Sequence, residues 1–217
     1  MKPARILIAD DHELLRKGLA ATLNDVPGWQ VVAEAANGRR AVELAQDLAP
    51  DVVILDMTMP ELNGLEATRQ ILAARASTHV LILTAHESEQ LVREVLNAGA
   101  QGYVLKSDAG RALVAGVEAL MDGRPFFTSK VARIVLDGFL RSQEGTAAAD
   151  PIQSLSPRER EIVQLLAEGK SNKEVARALG ITVKTAETHR GNIMRKMQFG
   201  SLSDLIRYAI RNNIVSA

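Results

Sequence analysis

The sequence has 217 residues, enough for one large domain or two small ones. Hydrophobic residues make up 47% and aromatics only 3%, so any core is aliphatic, and the absence of cysteine excludes disulfides, thiolate metal sites and cysteine nucleophiles. Net charge is zero, but residues 1–122 hold 11 Lys+Arg against 17 Asp+Glu (net −6) and residues 152–217 hold 11 against 6 (net +5), so the basic half suits a polyanion.

In chain order, the first apolar run, Arg5–Ala9, stops at Asp10, too short and too soon acidic for a signal peptide. No later stretch approaches the roughly 20 apolar residues needed to span a bilayer. The expectation is a soluble, cytoplasmic protein. Further short runs rich in Val, Ile and Leu follow at Val31–Ala35, Val52–Leu55, Val80–Leu83 and Gly102–Leu105. Strands buried on both faces have this composition. Helical spacing fills the intervals, with Leu14, Leu15, Leu19 and Leu23, then Ala41, Val42, Ala45 and Leu48, then Leu91, Val92, Val95 and Leu96. Residues 108–121 predict a fifth helix, broken at Gly123-Arg124-Pro125. Five such units predict a five-stranded, doubly wound parallel α/β sheet over residues 1–122. Its ligand site belongs at the carboxyl ends of the strands.

Residues 123–151 read as a linker with an amphipathic helix at 128–140, followed by a small, polar segment from Ser142 to Pro151. From 152 to 217 only helical patterns occur, and they predict an all-α domain of four short helices. Ser156-Pro157-Arg158-Glu159 is a helix start, and Gly169, Gly180 and Gly200 mark helix ends.

The acidic half carries a site. Asp10 and Asp11 end the first strand and Asp56 ends the third, its neighbour in such a sheet. Three carboxylates that close need a cation between them, and Mg²⁺ is favoured for phosphate chemistry. Thr84 ends the fourth strand with a hydroxyl, and Lys106 follows the fifth with a fixed positive charge. A carboxylate nucleophile, a metal, a hydroxyl and an ammonium are what phosphoryl transfer needs, with Asp56 as the nucleophile that forms an acyl phosphate.

Asp10-Asp11, the segment Asp56-Met57-Thr58-Met59-Pro60-Glu61-Leu62-Asn63-Gly64, Thr84-Ala85 and Lys106 together resemble the receiver signature of two-component response regulators over residues 4–122. The resemblance implies a flavodoxin-like fold and phosphorylation of Asp56 by a sensor histidine kinase. It implies Mg²⁺ held by Asp11, Asp56 and the Thr58 backbone carbonyl, with Asp10 assisting through water. Thr84 and Lys106 would bind the phosphoryl oxygens, small Ala85 would leave room for them, and Tyr103 would be the aromatic that swings inward behind Thr84. Ser107, where many receivers have proline, agrees with the NarL/FixJ branch.

The basic half has helix-turn-helix grammar from Ser171 to His189, with Gly180 as the turn and Thr182 as a cap. On the second helix of that motif, Ala186, His189, Ile193 and Met197 form the buried stripe. Lys184, Glu187, Thr188, Gly191 and Arg195 face the opposite way, toward a major groove, while Lys184 and Thr185 suit phosphates at the helix start and Arg190 lies on the flank. Leu155 to Glu161, Asn172 to Ala176, Val183-Lys184-Thr185 with His189, and Ile193 to Met197 are similar to LuxR-type output domains. That resemblance puts base contacts at Glu187, Thr188 and Gly191, and a dimer contact on the last helix at Leu205, Ile206, Ala209 and Ile210. A two-fold dimer would read inverted half-sites in double-stranded DNA.

The leading reading is a phosphorylation-controlled transcription regulator, not an enzyme, in which the resting receiver occludes the recognition helix or disfavours dimers. A Mg²⁺-dependent phosphotransferase or phosphatase leaves the basic half without a role. A protein-binding adaptor leaves it without DNA.

Overall fold

A computed structural model describes residues 2–85, 87–129, 131–133, 135 and 155–215. The linker expected at 142–151 and the far end of the helix expected at 128–140 lie outside the described residues. Five strands form as the apolar runs predict: β1 Ala4–Ala9, β2 Trp29–Ala35, β3 Val52–Asp56, β4 His79–Thr84 and β5 Gly102–Leu105. A sixth, β6 Phe126–Phe127, joins the edge within the segment read as linker. Two residues are too short to show a period, so pairing with Gly102 and Tyr103 decides it. All strands are parallel, in the order β2-β1-β3-β4-β5-β6.

The helices are α1 Glu13–Asn24, α2 Gly38–Leu48, α3 Gly64–Ala74, α4 Glu89–Asn97 and α5 Ala109–Met121. Strand alternation divides the core. Leu7, Val53, Leu55, Val80, Ile82 and Tyr103 face α2, α3 and α4, while Ile6, Ile8, Ile54, Leu81, Leu83 and Val104 face α1 and α5. Each buried aliphatic side chain contributes about 1.5–3 kcal/mol, and β3 is buried throughout, which anchors the strand that carries Asp56.

The second domain is α6 Pro157–Ala167, α7 Asn172–Leu179, α8 Val183–Lys196 and α9 Leu202–Arg211 around an aliphatic core of Leu155, Ile162, Leu166, Val175, Ile193 and Leu205. Its helix starts follow the sequence signals. The Ser156 hydroxyl accepts from Glu159 N–H while the Glu159 carboxylate accepts from Ser156 N–H, and Ser171 with Glu174 and Ser201 with Asp204 repeat this exchange. Gly180 ends α7 at φ 64°, a left-handed turn that glycine makes without strain.

Candidate functional site

Sheet register builds the acidic pocket. Ala9 pairs with Leu55, Asp56 with Leu83, and Thr84 with Leu105. Asp10, Asp56, Thr84 and Lys106 therefore project from one end of four adjacent strands. Asp10 and Asp56 are buried (Asp56 is 2% exposed), while Asp11 and Ala85 are exposed at the rim. One ligand atom each from Asp10, Asp11, His12 and Asp56 lies within 4.8 Å of all the others.

Lys106 Nζ stands 2.9 Å from Asp10 Oδ2 and 3.0 Å from Asp56 Oδ2. Apart from this ion pair, neither buried oxygen has a hydrogen-bond donor among the described residues. Asp56 Oδ1 accepts from Met57 N–H at 2.8 Å. Burial pushes the Asp56 carboxyl up from the usual 3.8 to about 6; Lys106 pulls it down and Asp10 adds to the rise. Burial pulls the Lys106 ammonium down, but its contacts with Asp10 and Asp56 outweigh that and hold its pKa above the ordinary value. Under-supplied, mostly oxygen donors around a buried carboxylate fit a hard divalent cation such as Mg²⁺.

The β3–α3 connection is tight. A side chain at Gly64 would put its Cβ 2.3 Å from the Asp56 carbonyl oxygen, so α3 can start this close only with glycine. Thr58 lies half-buried in this connection. On the other side, Thr84 is fully buried and hydrogen-bonded to the Tyr103 hydroxyl. Tyr103 is fully buried as well, and burial raises its pKa.

His12 escaped the sequence reading. Its Nδ1 lies 2.8 Å from Asp11 Oδ1 and 3.2 Å from Asp10 Oδ1. Its place directly after the Asp-Asp pair was the available signal.

On α8, Ala186 and Ile193 are buried and His189 and Met197 partly so. Lys184, Thr185, Glu187, Thr188, Gly191 and Arg195 are exposed and Arg190 is half-buried. None of these exposed side chains is buried against the receiver. On α9, Leu205 and Ala209 are buried in their own domain's core and are unavailable to a second chain. Only Ile206 and Ile210 of the four expected dimer residues reach the surface, Ile210 at 37% exposure.

No motif or periodicity in the chain signals the contact between the two domains. The amide of Gln164, on α6, is wholly buried against the β3–α3 connection, donating to Met59 O at 2.8 Å and accepting from Asn63 N–H at 2.8 Å. Glu168 accepts from Glu61 N–H at 3.0 Å. Arg160 pairs with Glu66 of α3 (3.3 Å) and Glu94 of α4 (3.0 Å), and Gln70 donates to Glu161. The end of α9, at Arg211, borders Gln90, Leu91 and Glu94 of α4.

Comparison with known proteins matches residues 6–118 to the response regulator receiver domain and residues 153–209 to the bacterial regulatory proteins of the luxR family. The chain is 40% identical over 212 residues to the transcriptional regulatory protein LiaR of Bacillus subtilis, covering 98% of this chain and 99% of that one. It is 36% identical to the oxygen regulatory protein NreC of Staphylococcus epidermidis, with coverages of 97% and 99%. Among solved structures it resembles the response regulator RcsB in complex with DNA, at a TM-score of 0.59 and 26% identity over 95% of this chain and 97% of that one.

Proposed function

The chain belongs to the two-component response regulators that join a receiver domain to a LuxR-type DNA-binding domain and regulate transcription, and on that premise we propose that Asp56 accepts a phosphoryl group from a sensor histidine kinase and thereby controls promoter binding by residues 152–217. The observation that carries this is the Asp56 carboxylate at the carboxyl end of β3, recessed beside Asp10 and faced by Lys106 at 3.0 Å.

Transfer from a phosphohistidine breaks its P–N bond and forms a P–O bond to Asp56, and the released imidazole takes up a proton. The Asp56 carboxylate must be ionised to attack, and Lys106 favours that form. Asp11, Asp56 and the Thr58 carbonyl would hold Mg²⁺, with Asp10 assisting through water, and the bound cation would supply neutralising charge for the phosphoryl oxygens. Lys106 then exchanges its contact with Asp56 for one with the phosphoryl group, and the Thr84 hydroxyl turns from Tyr103 toward it. Exposed Ala85 leaves the entrance open. The chemistry is a single self-modification and its reversal, without turnover of an outside substrate.

DNA binding falls to α8. Lys184 and Thr185 at its start serve phosphates, and Glu187, Thr188, Arg190, Gly191 and Arg195 line the groove-facing side. The DNA complex of the similar RcsB supports this assignment. The working form is a cytoplasmic homodimer on inverted half-sites, joined in part through Ile206 and Ile210. Control acts through dimer formation, at the face where the end of α9 meets the receiver. The bordering of α4 by the end of α9 supports that route.

Gel-shift against genomic promoter fragments tests the reading, with wild type and Asp56→Asn, each with and without acetyl phosphate. A phosphodonor should tighten binding by wild type alone. Equal tightening in the variant would remove Asp56 from the account.

A further inference from the structure

The phosphoryl pocket lies in one domain, but part of its scaffold comes from the other. The connection from Met57 to Gly64 must place the Thr58 carbonyl. The peptide bearing that carbonyl is flanked by two others whose carbonyls are held. Met57 O accepts from Gly64 N–H at 2.9 Å, a bond internal to the receiver. Met59 O accepts from Gln164 Nε2 at 2.8 Å, a bond supplied by the DNA-binding domain. Pro60 has no N–H to give. Three further amides of the connection are engaged: Leu62 N–H goes to Pro60 O, Asn63 N–H to Gln164 Oε1 and Glu61 N–H to Glu168.

Gln164 is committed to this task. It is 0% exposed, its Oε1 accepts from Asn63, and its two amide hydrogens serve Met59 O and, at 2.9 Å, Glu168 Oε1. A glutamine so engaged is oriented by its surroundings and cannot rotate without stranding buried polar groups.

We propose that Gln164 is a positioning residue for the receiver's metal and phosphoryl chemistry: by gripping Met59 O and Asn63 N–H it holds the peptide that presents the Thr58 carbonyl. This rests on the reading of Asp56 and Thr58 given above. With the carbonyl already ordered, the cation does not bear that entropic cost on binding. Linkage makes the effect reciprocal, so the cation strengthens the contact between the domains. The DNA-binding domain is thus a contributor to the site that controls it.

The test uses the full chain as wild type, Gln164→Met and Glu168→Ala. Mn²⁺ and Mg²⁺ affinities are measured by calorimetry, and the Mg²⁺ dependence of phosphorylation by acetyl phosphate is followed beside them. Gln164→Met keeps the length of the side chain and removes its hydrogen bonds. Glu168 is less buried, and its loss removes one support of the Gln164 amide. Freeing one peptide predicts about fivefold weaker metal binding in Gln164→Met and a smaller loss in Glu168→Ala. The Mg²⁺ concentration for half-maximal phosphorylation should rise by the same factor, with the rate recovering at saturating Mg²⁺. General damage to the fold would not produce that split. Unchanged metal affinity in Gln164→Met, or a lower saturating rate at unchanged affinity, overturns the proposal and leaves Asp56 as phosphoacceptor. Failure of wild type to bind either metal overturns the underlying reading, and the proposal with it.

Discussion

Arg160 of the DNA-binding domain places its Nε 3.3 Å from Glu66 Oε1 of the receiver, with both side chains almost wholly buried. Burial pushes the Glu66 carboxyl up to about 7 against the opposing pull of Arg69 and Arg160. The second arm of Arg160 reaches Glu94 on α4 at 3.0 Å. One guanidinium therefore ties two receiver helices to α6. Replacing it with methionine leaves Glu66 with Arg69 alone and Glu94 without this cation, which costs about 1–3 kcal/mol if the contact stays closed and so favours opening. Small-angle scattering should show a larger radius of gyration for Arg160→Met than for wild type; identical curves would refute the role.

The raised pKa of Asp56 makes stability depend on pH. Its folded value, about 6, exceeds the usual 3.8, so the native state favours the neutral acid. The stability it contributes is full below pH 3.8 and is lost as pH rises through about 6. Asp56→Asn escapes that loss. In chelated buffer at pH 8 the variant should be more stable by at most about 3 kcal/mol, a gain that shrinks toward zero near pH 4. Urea titrations across this range measure it. Adding Mg²⁺ should stabilise wild type more than the variant.

Thr84 and Tyr103 form a buried hydroxyl pair beside the pocket. Thr84→Val keeps the shape and leaves the Tyr103 hydroxyl without that partner, at a cost of about 1–3 kcal/mol. It also removes the group expected to turn toward the phosphoryl oxygens. The variant should still incorporate phosphoryl at Asp56, but its DNA affinity should no longer respond. A normal gel-shift response after phosphorylation would sink this assignment.

Lys184 and Thr188 separate phosphate contact from base reading on α8. Lys184→Ala should weaken binding to all duplexes alike and reduce the slope of log affinity against log salt by about 1. Thr188→Ala should leave that slope unchanged and relax discrimination at one base position. Salt titrations of fluorescence anisotropy resolve the two.

The buried and exposed residues of α9 make a second contrast. Leu205→Ala opens a cavity in the domain core and should cost about 2–5 kcal/mol by thermal unfolding. Ile206→Glu with Ile210→Glu should leave melting within about 1 kcal/mol of wild type and abolish the phosphorylated dimer in sedimentation. A dimer that survives the pair of changes places its contact elsewhere.

Local sequence signals determined most of the secondary structure. The five apolar runs are strands because Val, Ile and Leu fill positions buried on both faces, and serine caps set the starts of α6, α7 and α9. The pocket was legible for the same reason. Strand ends in a parallel sheet share one edge, so Asp10, Asp56, Thr84 and Lys106 had to meet once the strand order was known. Tertiary structure alone decided what long-range contact selects. β6 exists through two residues laid on β5. Leu205 and Ala209 have the same apolar character as Ile206 and Ile210, and only packing tells which pair is interior. Arg160, Glu161 and Gln164 follow the spacing of a solvent-facing stripe on α6, yet the receiver covers them. Periodicity reports that a helix has two faces, but a polar face covered by a hydrogen-bonding neighbour carries the same pattern as one covered by water.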